Sequence, residues 1–555
     1  MITRAEAIAA SAVCLPASAI VVAYVVDSIG LTIAPLVVLA ISLFGSALLC
    51  AWLWRRATRE PRVVAAFLAI VASALTLLLW LAWPELLPTG SGPDLAHHLA
   101  LIAFIERHWR LVHDVGLSVY LGEMVDYTPG AHLLVALVGA WVRRDGLHVL
   151  YPVIAATVAL KAGVVFLIAL RLLPDAQSDL APSRLAGGAR VPLAAMAAVL
   201  LVAPYTYFIG SFTEQSYLAQ VVSELFAVTM WWALIVWDDQ PAPEAIGVFA
   251  VAGTAAFLTW PVWTGPLLIV LAAILLGHLG DPIAHRVRQA AIGVIPIAIA
   301  AAMHTAAHVG GLRMAGTGGF VIQPDIHLTG RWFPALSIVG LFIAAMDRRA
   351  RTVAVFVGAL AAQAAALAVA ARWSRAAAPY LAIKMFYLAI YPLAIAGALA
   401  IGAAWRLARQ ASRDRLPASL PWVLVAIAVL ALGRAVVLAP KPKPVITQPV
   451  FLAAVWARER VAPECIDYLS TDGYTAYWLH LALFGNPRAA GRGLDDDTFE
   501  PKRALVRWIM PEGLPYAITE DFSALPRDIR ESVDIAARFG PAAVVKRRGQ
   551  AACAP

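Results

Sequence analysis

The sequence predicts an all-α polytopic membrane protein of about 13 transmembrane helices, followed by a small C-terminal α/β domain outside the membrane. Three observations carry this. Of the 555 residues, 61% are hydrophobic and 14% charged, where soluble domains carry about 25% charged residues. The apolar residues fall in runs of about 16–25, the length a helix needs to cross a bilayer, without the alternation of a barrel strand. Lipid admits only helices and closed barrels, so helices are predicted. The Lys and Arg residues outnumber Asp and Glu by 43 to 35, and they cluster in short loops between the runs. That is the positive-inside pattern rather than a nucleic-acid-binding face, and no nucleic-acid partner is expected.

The expected spans are 7–26, 31–54, 63–83, 147–170, 191–209, 217–236, 244–259, 262–278, 289–306, 334–346, 353–371, 380–401 and 420–439. The first follows Arg4 as a long apolar run without a short h-region and cleavage site, so it is read as an uncleaved span. With the N-terminus cytoplasmic, the inner loops collect Arg55, Arg56, Arg59 and Arg62, then Arg171, Arg184 and Arg190, then Arg286 and Arg288, then Arg348, Arg349 and Arg351, then Arg406, Arg409, Arg413 and Arg415. The Trp237–Glu244 loop, with Asp238 and Asp239, has no positive charge, which is neutral evidence for a rule that counts Lys and Arg. This alternation requires 129–142, opened by Pro129 and closed by Arg143 and Arg144, to lie in the interface rather than cross. The polar segments 84–146, Gly210–Ser216, Thr259–Thr264, 307–333, Arg372–Pro379 and the tail then share the outer face of the plasma (inner) membrane.

Two domains follow: a transmembrane catalytic part, 1–439, whose outer loop 84–146 carries interfacial helices, and an extracytoplasmic tail, 440–555. In the tail, Cys465–Leu469 and Ala542–Lys546 read as strands, and Ala453–Val461 and Asp528–Phe539 as helices. Cys465 and Cys553 lie there too, either as a disulfide or as two thiols. Cys14 and Cys50 lie in spans.

Candidate chemistry concentrates on the outer side. Asp94 follows Pro93 at the expected start of a helix, which puts His97 at i+3 and His98 at i+4. A carboxylate oriented by histidine is a general base for a hydroxyl; the competing reading is a helix cap. The same spacing can hold a divalent cation, although none is expected to be required. Leu95, Leu99, Ile102, Ile105, Trp109 and Val112 form one apolar face, with His98, Glu106, Arg107, His108, Arg110 and His113 on the rest, as in a helix lying on the bilayer. Asp126, Tyr127 and His132 flank a Thr-Pro-Gly turn that returns the chain to the membrane. Glu214 and Gln215, and Trp260 and Trp263, offer carboxylate, amide and aromatic faces suited to sugars, although aromatic residues also belt membrane interfaces. Arg372, Arg375 and Lys384 run against the positive-inside trend, and a lipid-linked phosphate is their natural partner. The 307–333 loop, with Gly310, Gly311, Gly316, Gly318, Gly319, Asp325, His327 and Arg331, has the composition of a substrate gate. No strand precedes its glycines, so they make no nucleotide fingerprint, and no Walker A motif or zinc-type Cys/His array occurs.

The stretch Asp94-Leu-Ala-His-His-Leu-Ala-Leu-Ile, followed about thirty residues on by Tyr127-Thr-Pro-Gly-Ala-His-Leu-Leu, resembles the GT-C superfamily of polytopic glycosyltransferases. An arabinofuranosyltransferase-like branch is the nearest in kind. The resemblance covers the architecture of the membrane part and these two stretches. It implies a polyprenyl-phosphate sugar donor, a glycan, glycolipid or lipid acceptor, and an acidic base in the first large outer loop, here Asp94. Two departures stand out: the loop follows the third expected span rather than the first, and Leu95 stands where a second acidic residue would make a pair. The alternatives are an O-antigen-type ligase or polymerase using a pyrophosphate-linked oligosaccharide, and a lipid-linked-sugar transporter. A transporter calls for charged groups at mid-membrane, whereas the charges here are expected at the outer surface.

Overall fold

The computed structural model describes residues 2–90, 94–173, 187–240, 242–278, 282–308, 321–376, 378–412, 415–417, 419–462, 465–469, 473–480, 505–506, 508–510, 513–550 and 553. Pro93, Arg184, Arg413 and the loop glycines from Gly310 to Gly319 lie outside the described residues.

The chain is a multi-pass membrane protein. Its main helices are α1 (Arg4–Ser28), α2 (Pro35–Arg56), α3 (Pro61–Leu81), α4 (Asp94–His108), α5 (Gly130–Val142), α6 (Gly146–Leu172), α7 (Gly187–Leu200), α8 (Leu218–Asp239), α9 (Pro243–Thr259), α10 (Thr264–Gly277), α11 (Ile283–Ala307), α12 (Trp332–Met346), α13 (Arg351–Trp373), α14 (Tyr380–Ala411), α15 (Leu420–Leu438) and α16 (Gln448–Arg460). Among the described residues, nine of these are long and apolar enough to cross a membrane. Four expected spans correspond to the shorter helices α7, α9, α10 and α12.

Helices α6 and α8 form the buried centre, while α2, α3, α11, α13 and α15 turn most of their surface outward. Leu36, Phe44, Phe342 and Leu430 are among the exposed apolar side chains, as expected of surfaces that face lipid. Small residues let helices touch: a Cβ on Gly340 of α12 would lie 1.8 Å from the Ala396 carbonyl oxygen of α14.

The two ends of the bundle are marked by α1. At one end, Thr3 and Glu6 form a capping box, and Glu6 pairs with Arg171, whose Nη2 donates to Oε2 at 3.1 Å. Arg171 also reaches Asp239 at 3.0 Å, Arg56 pairs with Glu244, and Asp238 meets His278 at 2.8 Å. The acidic loop that lacked its own positive charge therefore meets arginines of α2 and α6. At the other end, Asp27 accepts from the Leu111 amide at 3.0 Å and pairs with His113 at 2.8 Å. Glu6 and Asp27 are separated by about 31 Å of helix at 1.5 Å per residue, which matches the hydrocarbon thickness.

The outer segments grouped by the sequence meet at the Asp27 end. Ser216 donates to the Thr89 carbonyl at 3.1 Å, Thr128 to the Thr259 carbonyl at 2.8 Å, and Tyr207 to the Gln323 carbonyl at 3.0 Å. His308 lies 3.3 Å from the Val112 carbonyl.

The tail docks on the same end. Val445 donates to the Pro88 carbonyl at 2.8 Å, Lys441 lies 4.2 Å over the Trp80 ring, and Phe451 stands edge-on to His148 at 5.0 Å. Its sheet, in the order β1 (Ile466–Leu469), β2 (Tyr516–Thr519), β4 (Ala542–Arg547), β3 (Val533–Phe539), has β1 and β2 parallel and the remaining pairs antiparallel. The expectation of a helix over Asp528–Phe539 is corrected. Helix stops at Ser532, and Val533–Phe539 pairs with β4 through a bulge at Ile535/Ala537. A free sheet edge outweighs the local helical pattern of an Ala-Ala-Arg stretch. Cys465 and Cys553 are joined as a disulfide.

Candidate active site

Asp94 is the first residue of α4 and is exposed. Its charge is felt by His97, Glu123, Tyr217 and Tyr477. Glu123 enters on a short turn at Gly122, whose φ of 55° suits glycine. Burial, and Asp94 after it, push the Glu123 carboxyl above the usual carboxylate range. Glu123 thus lies within electrostatic reach of Asp94.

The two histidines divide. His97 meets the tail: its Nε2 lies 2.6 Å from the Tyr477 hydroxyl, with the rings edge-on at 5.4 Å. Burial, then Glu123 and Asp94, push the Tyr477 phenol up and hold it protonated, so it can donate to or accept from the His97 ring nitrogen. Burial lowers the His97 pKa and Asp94 partly restores it.

His98 was expected on the polar face of a surface helix. It is buried instead, because α4 packs on α5 and α6 rather than lying free. Its Nδ1 lies 2.8 Å from His132 Nε2, with the rings stacked at 5.0 Å. Burial, then neighbouring positive charge, hold His98 well below the ordinary histidine range, so it is neutral at pH 7. Tyr127 stands edge-on to both imidazoles and 6.0 Å from Trp260. Tyr127, His132, His98 and Trp260 thus form one aromatic wall.

Lys384 emerges from the first turns of α14 with 1% exposure. Its ammonium donates to Gln220 Oε1 at 2.8 Å and lies 2.8 Å from the centre of the Tyr217 ring, with Tyr380 and Tyr387 at 5.1 and 5.3 Å. Among the described residues it has no carboxylate in salt-bridge contact. Burial, with Asp94 second, raises Tyr217 to about 12, so that ring stays a neutral phenol beside the cation.

The other expected site residues have these surroundings. Trp263 is buried and donates to the Gln220 carbonyl at 3.2 Å, which makes it a brace rather than a face for sugars. Asp325 caps the turn Ile326–Thr329, accepting from the His327 amide at 2.9 Å, and His327 is exposed. Arg372 and Arg375 are exposed at the end of α13 and show no contact with Lys384 among the described residues. Glu214 is exposed, and Gln215 and Asp126 are half-buried.

The expectation that charges sit only at the outer surface is also corrected. Lys161 of α6 and Glu224 of α8 are both 0% exposed inside the bundle and pair at 2.6 Å. Glu224 also accepts from Tyr391 at 2.6 Å and from Gln220 Nε2 at 3.2 Å. The signal was present as two ionisable residues inside apolar runs.

No family model and no curated protein sequence matches the chain. Among solved structures, it is similar to the crystal structure of ArnT from Cupriavidus metallidurans in the apo state, at 15% identity over 86% of this chain and 97% of that one, with a TM-score of 0.46. It is also similar to the Archaeoglobus fulgidus oligosaccharyltransferase, at 12% identity over 82% of this chain and 68% of that one, with a TM-score of 0.44.

Proposed function

We propose that the chain is a GT-C-type inverting glycosyltransferase, which moves a sugar from a polyprenyl monophosphate to a hydroxyl of a cell-envelope glycan, glycolipid or lipid at the outer face of the inner membrane. One observation carries the reading. Among the described residues a buried ammonium is held by a neutral amide and aromatic faces, with no carboxylate in contact, and it sits within electrostatic reach of an exposed carboxylate. A buried cation without a counter-charge is costly and calls for an anion. A phosphate beside Lys384 supplies one, and Asp94 is left free to act on the acceptor.

In the proposed step, Asp94 takes the proton of the acceptor hydroxyl as its oxygen bonds to the anomeric carbon. The bond from that carbon to the phosphate oxygen breaks, and polyprenyl phosphate leaves with the electron pair. Lys384 offsets the charge that collects on the leaving phosphate. Tyr127 and Trp260 offer faces for sugar rings. His97, fixed by Tyr477, lies within electrostatic reach of the base.

Transport remains as a second reading because Lys161 and Glu224 place charge inside the bundle. The ligase reading draws on arginine, and Arg372 and Arg375 are exposed at the end of α13.

The test is transfer from radiolabelled polyprenyl-phosphate sugars to membrane acceptors, with purified wild type and Asp94→Asn. Transfer by wild type alone, with donor binding retained in the mutant, supports the proposal. Equal transfer by both removes Asp94 as the base. Movement of labelled lipid across vesicles without transfer favours the transporter.

A further inference from the structure

The Lys161–Glu224 pair lies outside the chemistry just described, yet it is joined to it. Lys161 and Tyr391 both donate to Glu224 Oε2 at 2.6 Å. The other oxygen of Glu224 accepts from Gln220 Nε2 at 3.2 Å. The opposite atom of the same amide, Gln220 Oε1, accepts from Lys384 at 2.8 Å. A carboxylate cannot donate and an ammonium cannot accept, so only one orientation of the Gln220 amide satisfies both neighbours. Glu224 therefore decides which way Gln220 points, and Gln220 decides where the Lys384 ammonium sits. The main chain at Gln220 is braced from the other side by Trp263.

The charge count matters as well. Glu224 is matched by Lys161 through direct contact, while Lys384, among the described residues, contacts the neutral amide and aromatic rings and feels Asp94 and Glu224 only at a distance. A glutamate at position 220 would neutralise Lys384; glutamine fixes its position and leaves its charge available.

Resting on the glycosyltransferase reading for the identity of the anion, we propose that Gln220 and Glu224 are positioning residues that aim Lys384 as the phosphate-binding group and keep its charge uncompensated.

The probe is farnesyl phosphate, whose binding to the full-length protein is read by intrinsic tryptophan fluorescence, alongside thermal unfolding and donor KM and kcat. Gln220→Glu is expected to raise the Kd for farnesyl phosphate and the donor KM about tenfold or more, with kcat changed far less. Gln220→Met, which removes the acceptor without adding charge, is expected to weaken binding by a smaller factor. Lys161→Met combined with Glu224→Gln removes the pair without leaving an orphaned charge, frees the amide to turn, and is expected to weaken binding while the protein remains folded. Unchanged binding in all three, with only the unfolding temperature lowered, would make the relay purely structural and overturn the proposal. Failure of the wild type to bind farnesyl phosphate would overturn it too. Binding that follows the expected order in a protein that transfers no sugar would uphold the relay and sink the glycosyltransferase reading instead.

Discussion

Lys161 and Lys384 are buried in the same bundle, about equally out of water, and are held in opposite ways. Lys161 contacts a carboxylate directly, and that carboxylate is further satisfied by Tyr391 and Gln220. Lys384 contacts a neutral amide and the face of Tyr217. The first is a charge-matched arrangement that calls for no further counter-ion. The second is open by one negative charge, and it lies at the end of the bundle where Asp94, Glu123, His97 and the tail converge. Buried charge alone therefore does not mark a site here; its degree of compensation does.

The comparison can be broken most directly through stability. Lys161→Met strands the Glu224 carboxylate and is expected to cost about 3–5 kcal/mol, seen as a large drop in unfolding temperature in detergent. Lys384→Met removes an uncompensated cation and is expected to leave stability unchanged or raised, while donor binding is lost. Equal destabilisation by the two substitutions would erase the distinction.

A smaller effect is expected at the tail. Tyr477→Phe removes one hydrogen bond to His97, worth about 0.5–1.5 kcal/mol. Transfer should fall severalfold in kcat, with donor KM little changed and the disulfide intact. No change would detach the tail from catalysis.

A third effect, confined to higher pH, concerns a half-buried carboxylate between α4 and the start of α6. Burial, with Asp145 adding to it, raises Glu106 to about 7. A folded pKa above the unfolded one means that its contribution to stability is fully present below about pH 4.5 and is lost as pH rises toward 7. Glu106→Gln should therefore be nearly neutral at low pH and stabilising above pH 7, seen as a flatter dependence of unfolding temperature on pH. A wild-type profile without that slope would contradict the assignment.

Much of the bundle was legible in the sequence because lipid imposes long apolar runs, and each expected span falls on a helix. The grouping of outer segments was legible from loop charges alone. The tail was less so: Val533–Phe539 became a strand because a partner edge, invisible locally, was available. Asp94, Tyr127, His132, Trp260 and Lys384, singled out by residue type and position, lie at one end of the bundle. His98 was read on the wrong face, since helix periodicity cannot say that α5 covers the polar side of α4. Glu123, Gln220 and Tyr477 were missed because each reaches the centre only through tertiary folding. Arg372 and Arg375 have the right chemistry for phosphate and are exposed at the end of α13.

The most direct test of the central claim is steady-state transfer with Asp94→Asn and Lys384→Met measured side by side on one polyprenyl-phosphate sugar. Asp94→Asn is expected to lower kcat by about 10²–10⁴-fold with donor KM nearly unchanged, while Lys384→Met chiefly raises donor KM. Both variants turning over like the wild type would contradict it.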